Sequence, residues 1–139
     1  MTLDNAKKLI EKCVAQMQAH YSKPVFNEWA ILSITDGKGR LLVYIGDRKD
    51  EFKKNFATDA APLSAAFLEG EYNPGDFEFA RHGVGTGFES FLVLGKHVYL
   101  ICNNTDESMD GISKDPKWLL AQVPFVDMSE HFRSDPLVI

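Results

Sequence analysis

The chain opens with apolar residues at three- and four-residue steps, Leu3, Ala6, Ile10, Cys13, Val14 and Met17, while Lys7, Lys8, Glu11, Lys12 and Gln18 fall elsewhere on the wheel. This spacing predicts an amphipathic helix over residues 2–20 with one buried stripe. Thr2 or Asp4 can cap its start, and Ser22-Lys23-Pro24 closes it, because the residue before a proline is pushed out of the α region. The pattern then changes. Trp29, Ala30, Ile31, Leu32 and Ile34 form one nearly continuous apolar run and residues 41–45 a second, around the punctuation Asp36-Gly37-Lys38-Gly39. Runs without clean alternation fit strands covered on both faces, so this hairpin is expected at the centre of a sheet. Its length favours a bulged or five-residue turn over a two-residue one.

Beyond Gly46, Asp47 or Asp50 can cap a second helix with Phe52, Phe56, Ala60, Leu63, Ala66 and Phe67 on one stripe. Pro62 interrupts it at a cost of ~3 kcal/mol, which predicts a kink or a restart near residue 58. Gly70 and Asn73-Pro74-Gly75 end the element. Residues 76–81 alternate, with Phe77 and Phe79 on one face of a half-buried strand, and residues 82–87 connect it onward. Residues 88–94 and 97–103 flank Gly95-Lys96 in the pattern of a tight hairpin whose first turn residue is glycine. The polar stretch 103–113 reads as an exposed loop. Asp115-Pro116 reads as an N-cap followed by proline at the first helical position, opening a helix through Trp118, Leu119, Ala121 and Gln122. Pro124 is expected to kink or stop that helix, although Phe125, Met128 and Phe132 continue its apolar pattern; residues 133–139 form a tail that frays or docks. The order helix, strand, strand, helix, strand, strand, strand, helix predicts an α/β (α+β) sandwich of two or three layers on a five-stranded, mainly antiparallel sheet.

Composition narrows the class. At 139 residues, 45% hydrophobic and 12% aromatic, the chain has the material for one core and one domain, residues 1–139. A formal charge of −5 gives no basic face for nucleic acid. The first residues lack the apolar centre of a signal peptide, and no apolar run approaches the ~20 residues that span a bilayer, so the expectation is a soluble cytoplasmic protein with no membrane partner. Cys13 and Cys102 have no neighbouring ligand at metal spacing and are expected as reduced, buried thiols.

No residue pattern in the chain carries a catalytic or metal-binding signature. Gly83, Gly85 and Gly87 lack the spacing, the Lys-Ser/Thr ending and the following helix of a phosphate loop. His97 and Cys102, five apart on a strand, point to opposite faces; Cys13 and His20 are ~10 Å apart along a helix. His82 and His97 can approach one another without a third ligand, and His20 and His131 read as solvent-side. Glu78 and Glu89 fall on neighbouring strands, but Glu78 alternates with aromatics and reads as solvated. Asp106, Glu107 and Asp110 lack calcium-loop spacing, and Ser33, Ser64 and Ser90 lack a nucleophile elbow. No catalytic residue, cofactor or metal is assigned.

As a whole, the element order, with WAILSITDGKGRLLVYIGD followed by the Ala-rich DAAPLSAAF, resembles the Roadblock/LC7 family, the likeness spanning residues 3–132. It departs from that pattern at Pro62, at the glycine segment and at Pro124. The resemblance implies a homodimer or heterodimer, formed by joining sheet edges and packing the middle helices, that regulates or scaffolds a small GTPase, a related NTPase or a motor without a catalytic centre. The interface residues it implies are Phe52, Phe56, Ala60 and Phe67, shared with the core, together with Phe77 and Phe79 on the third strand, whose edge needs pairing or covering. Two other readings stand beside it. One is a small-molecule sensor of profilin-, PAS- or GAF-like fold, with Trp29, Tyr44, Phe88 and Tyr99 around an apolar pocket. The other is an enzyme using His82 or His97 with a carboxylate.

Overall fold

The computed structural model describes residues 1–36, 38–54, 72–81, 87–109 and 111–139. Among them the order is α1 (Leu3–Gln18), β1 (Glu28–Thr35), β2 (Lys38–Ile45), α2 (Lys49–Phe52), β3 (Phe77–Arg81), β4 (Phe88–Gly95), β5 (Val98–Asn104), two single 3₁₀ turns, and α3 (Trp118–Ser134). The strands form one five-stranded sheet in the order β2-β1-β5-β4-β3, every neighbouring pair antiparallel. This is the α+β sandwich that the apolar pattern predicts.

Strand alternation sends the apolar residues into two cores. On one face Trp29, Ile31, Phe88, Leu92, Leu94, Leu100 and Cys102 pack with the α1 stripe Ala6, Ile10, Cys13 and Met17 and with Trp118, Phe125, Met128 and Phe132 of α3. On the other, Ala30, Leu32, Ile34, Phe91, Val93, Tyr99 and Ile101 pack with Phe52, Leu41 and Tyr44. Each buried Leu, Ile or Phe contributes roughly 1.5–3 kcal/mol, so both faces are needed to hold the sheet. α1 begins as read: Thr2 is its cap, its hydroxyl accepting from Asn5 N at 3.2 Å.

Only one strand of the first hairpin is interior: β1 lies between β2 and β5 and is buried along most of its length. β2 is an edge strand and half-exposed along its length, and β5 occupies the middle. The turn is also shorter than expected: Thr35 pairs with Lys38, and Asp36 takes a left-handed φ of 54°. The extra residue lies inside the strand, where Leu42 bulges between the pairs Ile31–Val43 and Leu32–Leu41. A bulge disturbs alternation, and this one makes an edge strand read as a doubly covered run.

In the second hairpin Gly95 pairs with Val98, so the turn is Lys96-His97, with His97 at φ 59°. Gly95 serves another purpose. A Cβ there would lie 2.3 Å from the carbonyl oxygen of Leu137, so only glycine lets the C-terminal segment run against the strand. That segment docks: Leu137 is buried and its N–H donates to Leu94 O at 2.8 Å.

The helix starts and stops also differ from the sequence pattern. α2 is preceded by Arg48, and neither Asp47 nor Asp50 caps it; the Arg48 N–H is held instead by the Tyr44 hydroxyl at 2.9 Å. The expected kink near residue 58 and Pro62 lie outside the described residues. Asp115 does not cap α3 either: its carboxylate accepts from Lys117 N at 2.8 Å, and the helix starts at Trp118. α3 then runs through Pro124 to Ser134. Trp118 and Ala121 before the proline, and Phe125, Met128 and Phe132 after it, all bury on one face. That burial outweighs the ~3 kcal/mol penalty of an interior proline. Nor is the stretch from Asn103 wholly exposed, since Asn103, Asn104 and Ile112 are buried.

Candidate functional site

At one end of the sheet the apolar core gives way to a polar row. Cross-strand register sets Glu28 of β1 opposite Asn103 of β5, Asn103 opposite Glu89 of β4, and Glu89 opposite Arg81 of β3. Glu28 is 2% exposed, and Asn103 and Glu89 are also buried. A buried carboxylate is tolerated only when donors surround it. Glu28 has three: the Tyr44 hydroxyl at 2.5 Å, the Asn103 amide at 3.0 Å and the Arg48 guanidinium at 3.5 Å. Burial, then the hydrogen bond to Glu28, pushes the Tyr44 phenol up to about 12, so it stays a neutral donor at physiological pH. Asn103 Oδ1 and Arg48 Nε are buried without a partner.

The cluster ties β1, β2, β5 and the entry to α2 together through one carboxylate. Beside it Asn104, on the opposite face of β5, donates to Pro24 O at 3.0 Å and Val25 O at 2.9 Å, fixing the chain as it enters β1. The arrangement acts as a clamp, one carboxylate gathering donors from three elements. Sequence reading misses it, because Glu28 precedes an apolar run and reveals nothing until the register sets Asn103 opposite it.

Among the described residues, those singled out for chemistry do not assemble; Ser64, His82, Gly83, Gly85 and Asp110 lie outside them. The Cys13 thiol lies 3.7 Å from Met17 Sδ and is pushed up to about 12 by burial and then by Asp127; burial likewise raises Cys102. Both are protonated at neutral pH and act as small apolar residues. His97 sits in the β4–β5 turn, His131 is exposed on α3, and His82 lies outside the described residues. Among the described residues no group of three or more His, Cys, Asp or Glu is placed to hold a metal, and no helix is long and apolar enough to cross a membrane. Glu78 is opposite Phe91, not Glu89. Ser90 is buried, its hydroxyl accepting from Ala80 N at 2.6 Å. The Asp106 carboxyl is held below its ordinary range by hydrogen bonds from Ser108 and by Lys23, in an exposed turn.

The four aromatics of the sensor reading are split by the sheet: Trp29 and Phe88 belong to the core under α1 and α3, Tyr44 and Tyr99 to the other. The cleft between α1 and α3, lined by Leu9, Cys13, Pro124 and Met128, measures about 140 Å³. That is below the ~300 Å³ at which ligand pockets begin. An apolar groove of about 460 Å³ lies along residues 136–139 and the β4–β5 turn and is lined by none of the four, whereas Tyr44 lines a groove of about 390 Å³ over β2 with Lys49 and Lys53.

The interface residues implied by the resemblance fall on both faces. Phe52 is 1% exposed, its ring 5.5 Å from Tyr44. Phe79 lies on the opposite face, stacked on Trp118 at 4.7 Å, and Phe77 meets Phe125 at 5.4 Å while remaining 38% exposed. Phe56, Ala60 and Phe67 lie outside the described residues. β3 is the sheet edge beside α3, and Ala80, at φ 55°, marks a bulge between the pairs of Glu78 and Arg81. Next to this edge α3 exposes Leu119 (74%), Leu120, Val123 (54%) and Val126, a cluster that sequence periodicity assigns to no core. No known protein family, no curated protein and no solved structure matches the chain.

Proposed function

We propose that this protein is a non-enzymatic interaction module of Roadblock/LC7 type, a cytoplasmic homodimer that regulates or scaffolds a small GTPase or related NTPase. The observation that carries the reading is the edge of β3: a sheet margin with half-exposed Phe77, flanked by the exposed apolar residues of α3. A soluble chain leaves such an edge and such a patch for a partner to cover. A second copy, joining β3 to β3 antiparallel across a two-fold axis, covers both chains at once. The polar clamp at Glu28 fits the same reading, since it holds the strands in register without offering reactive groups.

Sedimentation velocity at micromolar concentration tests the dimer, with a species of twice 15.6 kDa expected and a monomer throughout contradicting it. The NTPase partner is tested by capture from lysate loaded with nucleotide or stripped of it. Recovery of a nucleotide-binding protein that changes with the loading supports the reading, and equal recovery in both arms removes it.

A further inference from the structure

We infer that the outer edge of β2 binds an extended, acidic segment of a partner protein as an added strand. β2 is the sheet margin opposite β3, so this surface is separate from the dimer edge proposed above and does not depend on it. The Ile34 N–H donates to His97 O at 2.9 Å, which turns the Ile34 backbone groups toward β5. Alternation along β1 does the same for Leu32 and Ala30. Their partners across the hairpin, Gly39, Leu41 and Tyr44, therefore hold their N–H and C=O groups outward, two residues apart and then three across the Leu42 bulge. Among the described residues no strand pairs with them. A row of open donors and acceptors is the template on which an extended chain adds.

The groove of about 390 Å³ along β2 selects the chain that fits. All of residues 39–44 line it, although Leu41 and Tyr44 pack toward the core under α2, and Leu42 and Val43 toward the core under α1 and α3. A groove that touches side chains of both faces follows the backbone margin, where an added strand lies. Its charged residues are Arg40, Lys49 and Lys53, with no acidic residue in the lining, in a chain that carries 20 acidic against 15 basic residues overall. Asp47, Asp50 and Glu51 line a neighbouring groove beyond the end of β2, so the acidic side chains of the partner lie along the strand and stop short of Asp47. A second copy of β2 is the wrong occupant, since the strand carries Lys38 and Arg40 and no acid. Cations along an open edge deter a like edge and admit an acidic one.

The probe is a capped eight-residue peptide of alternating Glu and Val, the length of β2. It is compared with the same peptide carrying Lys for Glu, and with one carrying Pro for Val, which keeps the charge but lacks the donors of a strand. Amide exchange followed by NMR on the full chain is expected to show the Glu-Val peptide slowing the Gly39, Leu41 and Tyr44 amides, the Glu-Pro peptide leaving their exchange unchanged, and the Lys-Val peptide not binding. Arg40 and Lys49 are both exposed, and Arg40→Glu combined with Lys49→Glu, at wild-type circular dichroism, is expected to weaken the Glu-Val peptide at least about tenfold. Binding of the Glu-Val peptide that leaves those three amides unprotected, or that the charge reversal does not weaken, overturns the added strand. So does equal protection by the Glu-Pro peptide, which would mark an anion site without strand pairing, and so does the absence of binding by all three. None of these outcomes bears on the dimer, which a monomer in sedimentation removes by itself.

Discussion

Replacing Glu28 by alanine is the sharpest test of how the sheet is held. The substitution removes the acceptor for the Tyr44 hydroxyl, the Asn103 amide and the Arg48 guanidinium at once. Breaking a buried ion pair from one side costs about 3–5 kcal/mol, because the remaining charge is left without compensation. Arg48 is 33% exposed at its side chain and recovers part of its hydration, which puts the expected loss near the lower limit, about 3 kcal/mol. With a urea slope of about 2 kcal/mol/M, the unfolding midpoint falls by about 1.5 M. Glu28→Gln keeps the shape and one acceptor and is expected to cost about 1–2 kcal/mol; Tyr44→Phe is expected to cost a similar amount. The double variant is expected to cost less than the sum, since both remove the same 2.5 Å contact. A Glu28→Ala midpoint within about 0.5 M of wild type, at unchanged slope, refutes the clamp.

Pro124→Ala restores a backbone donor inside α3 and is expected to raise stability by about 1–2 kcal/mol, part of the ~3 kcal/mol preference being offset by packing lost in the α1 cleft; a lowered denaturation midpoint would contradict this balance. Gly95→Ala places a methyl against Leu137 O and is expected to cost about 1–3 kcal/mol and to release the Leu137 amide to hydrogen exchange, whereas retained protection would mean that the segment does not depend on that glycine. Stability is also expected to fall in alkali. The folded-state pKa values of Cys13 and Tyr44 are raised to about 12 from 9.0 and 10.0, so the unfolded chain ionises first, and stability present below pH 9 is lost as pH climbs toward 12. Urea titrations from pH 8 to 11 read this directly: Cys13→Ala should flatten the decline, and a flat wild-type profile contradicts it.

The helix stripe of α1, the pairing of β4 with β5 and the shared face of Phe77 and Phe79 are all legible in the letters: the first and last follow from period, and the β4–β5 hairpin from two apolar runs closed by a short turn. Placement within the sheet is less so. Leu41 to Ile45 read as a central strand, and only the strand order and the Leu42 bulge explain why such an apolar run lies half-open at an edge. Proline and aspartate give weaker punctuation than their local preferences imply: Pro124 is overridden by the burial of Phe125 and Met128, and Asp115 spends its carboxylate one turn early. The polar clamp is the least visible feature, since Glu28, Tyr44, Arg48 and Asn103 are scattered over 76 positions and meet only through antiparallel register. The exposed leucines and valines of α3 are visible as letters, yet which side of that helix stays open follows only from where β3 and α1 press on it.

Amide hydrogen exchange followed over a dilution series tests the dimer most directly, because it reads the edge strand itself. The account predicts that the outward amides of Phe77–Arg81 slow as concentration rises through the dissociation constant, together with the side chains of Leu119, Val123 and Val126 becoming inaccessible to surface labelling. Rapid, concentration-independent exchange along β3, with those three residues labelled equally at every dilution, would contradict it.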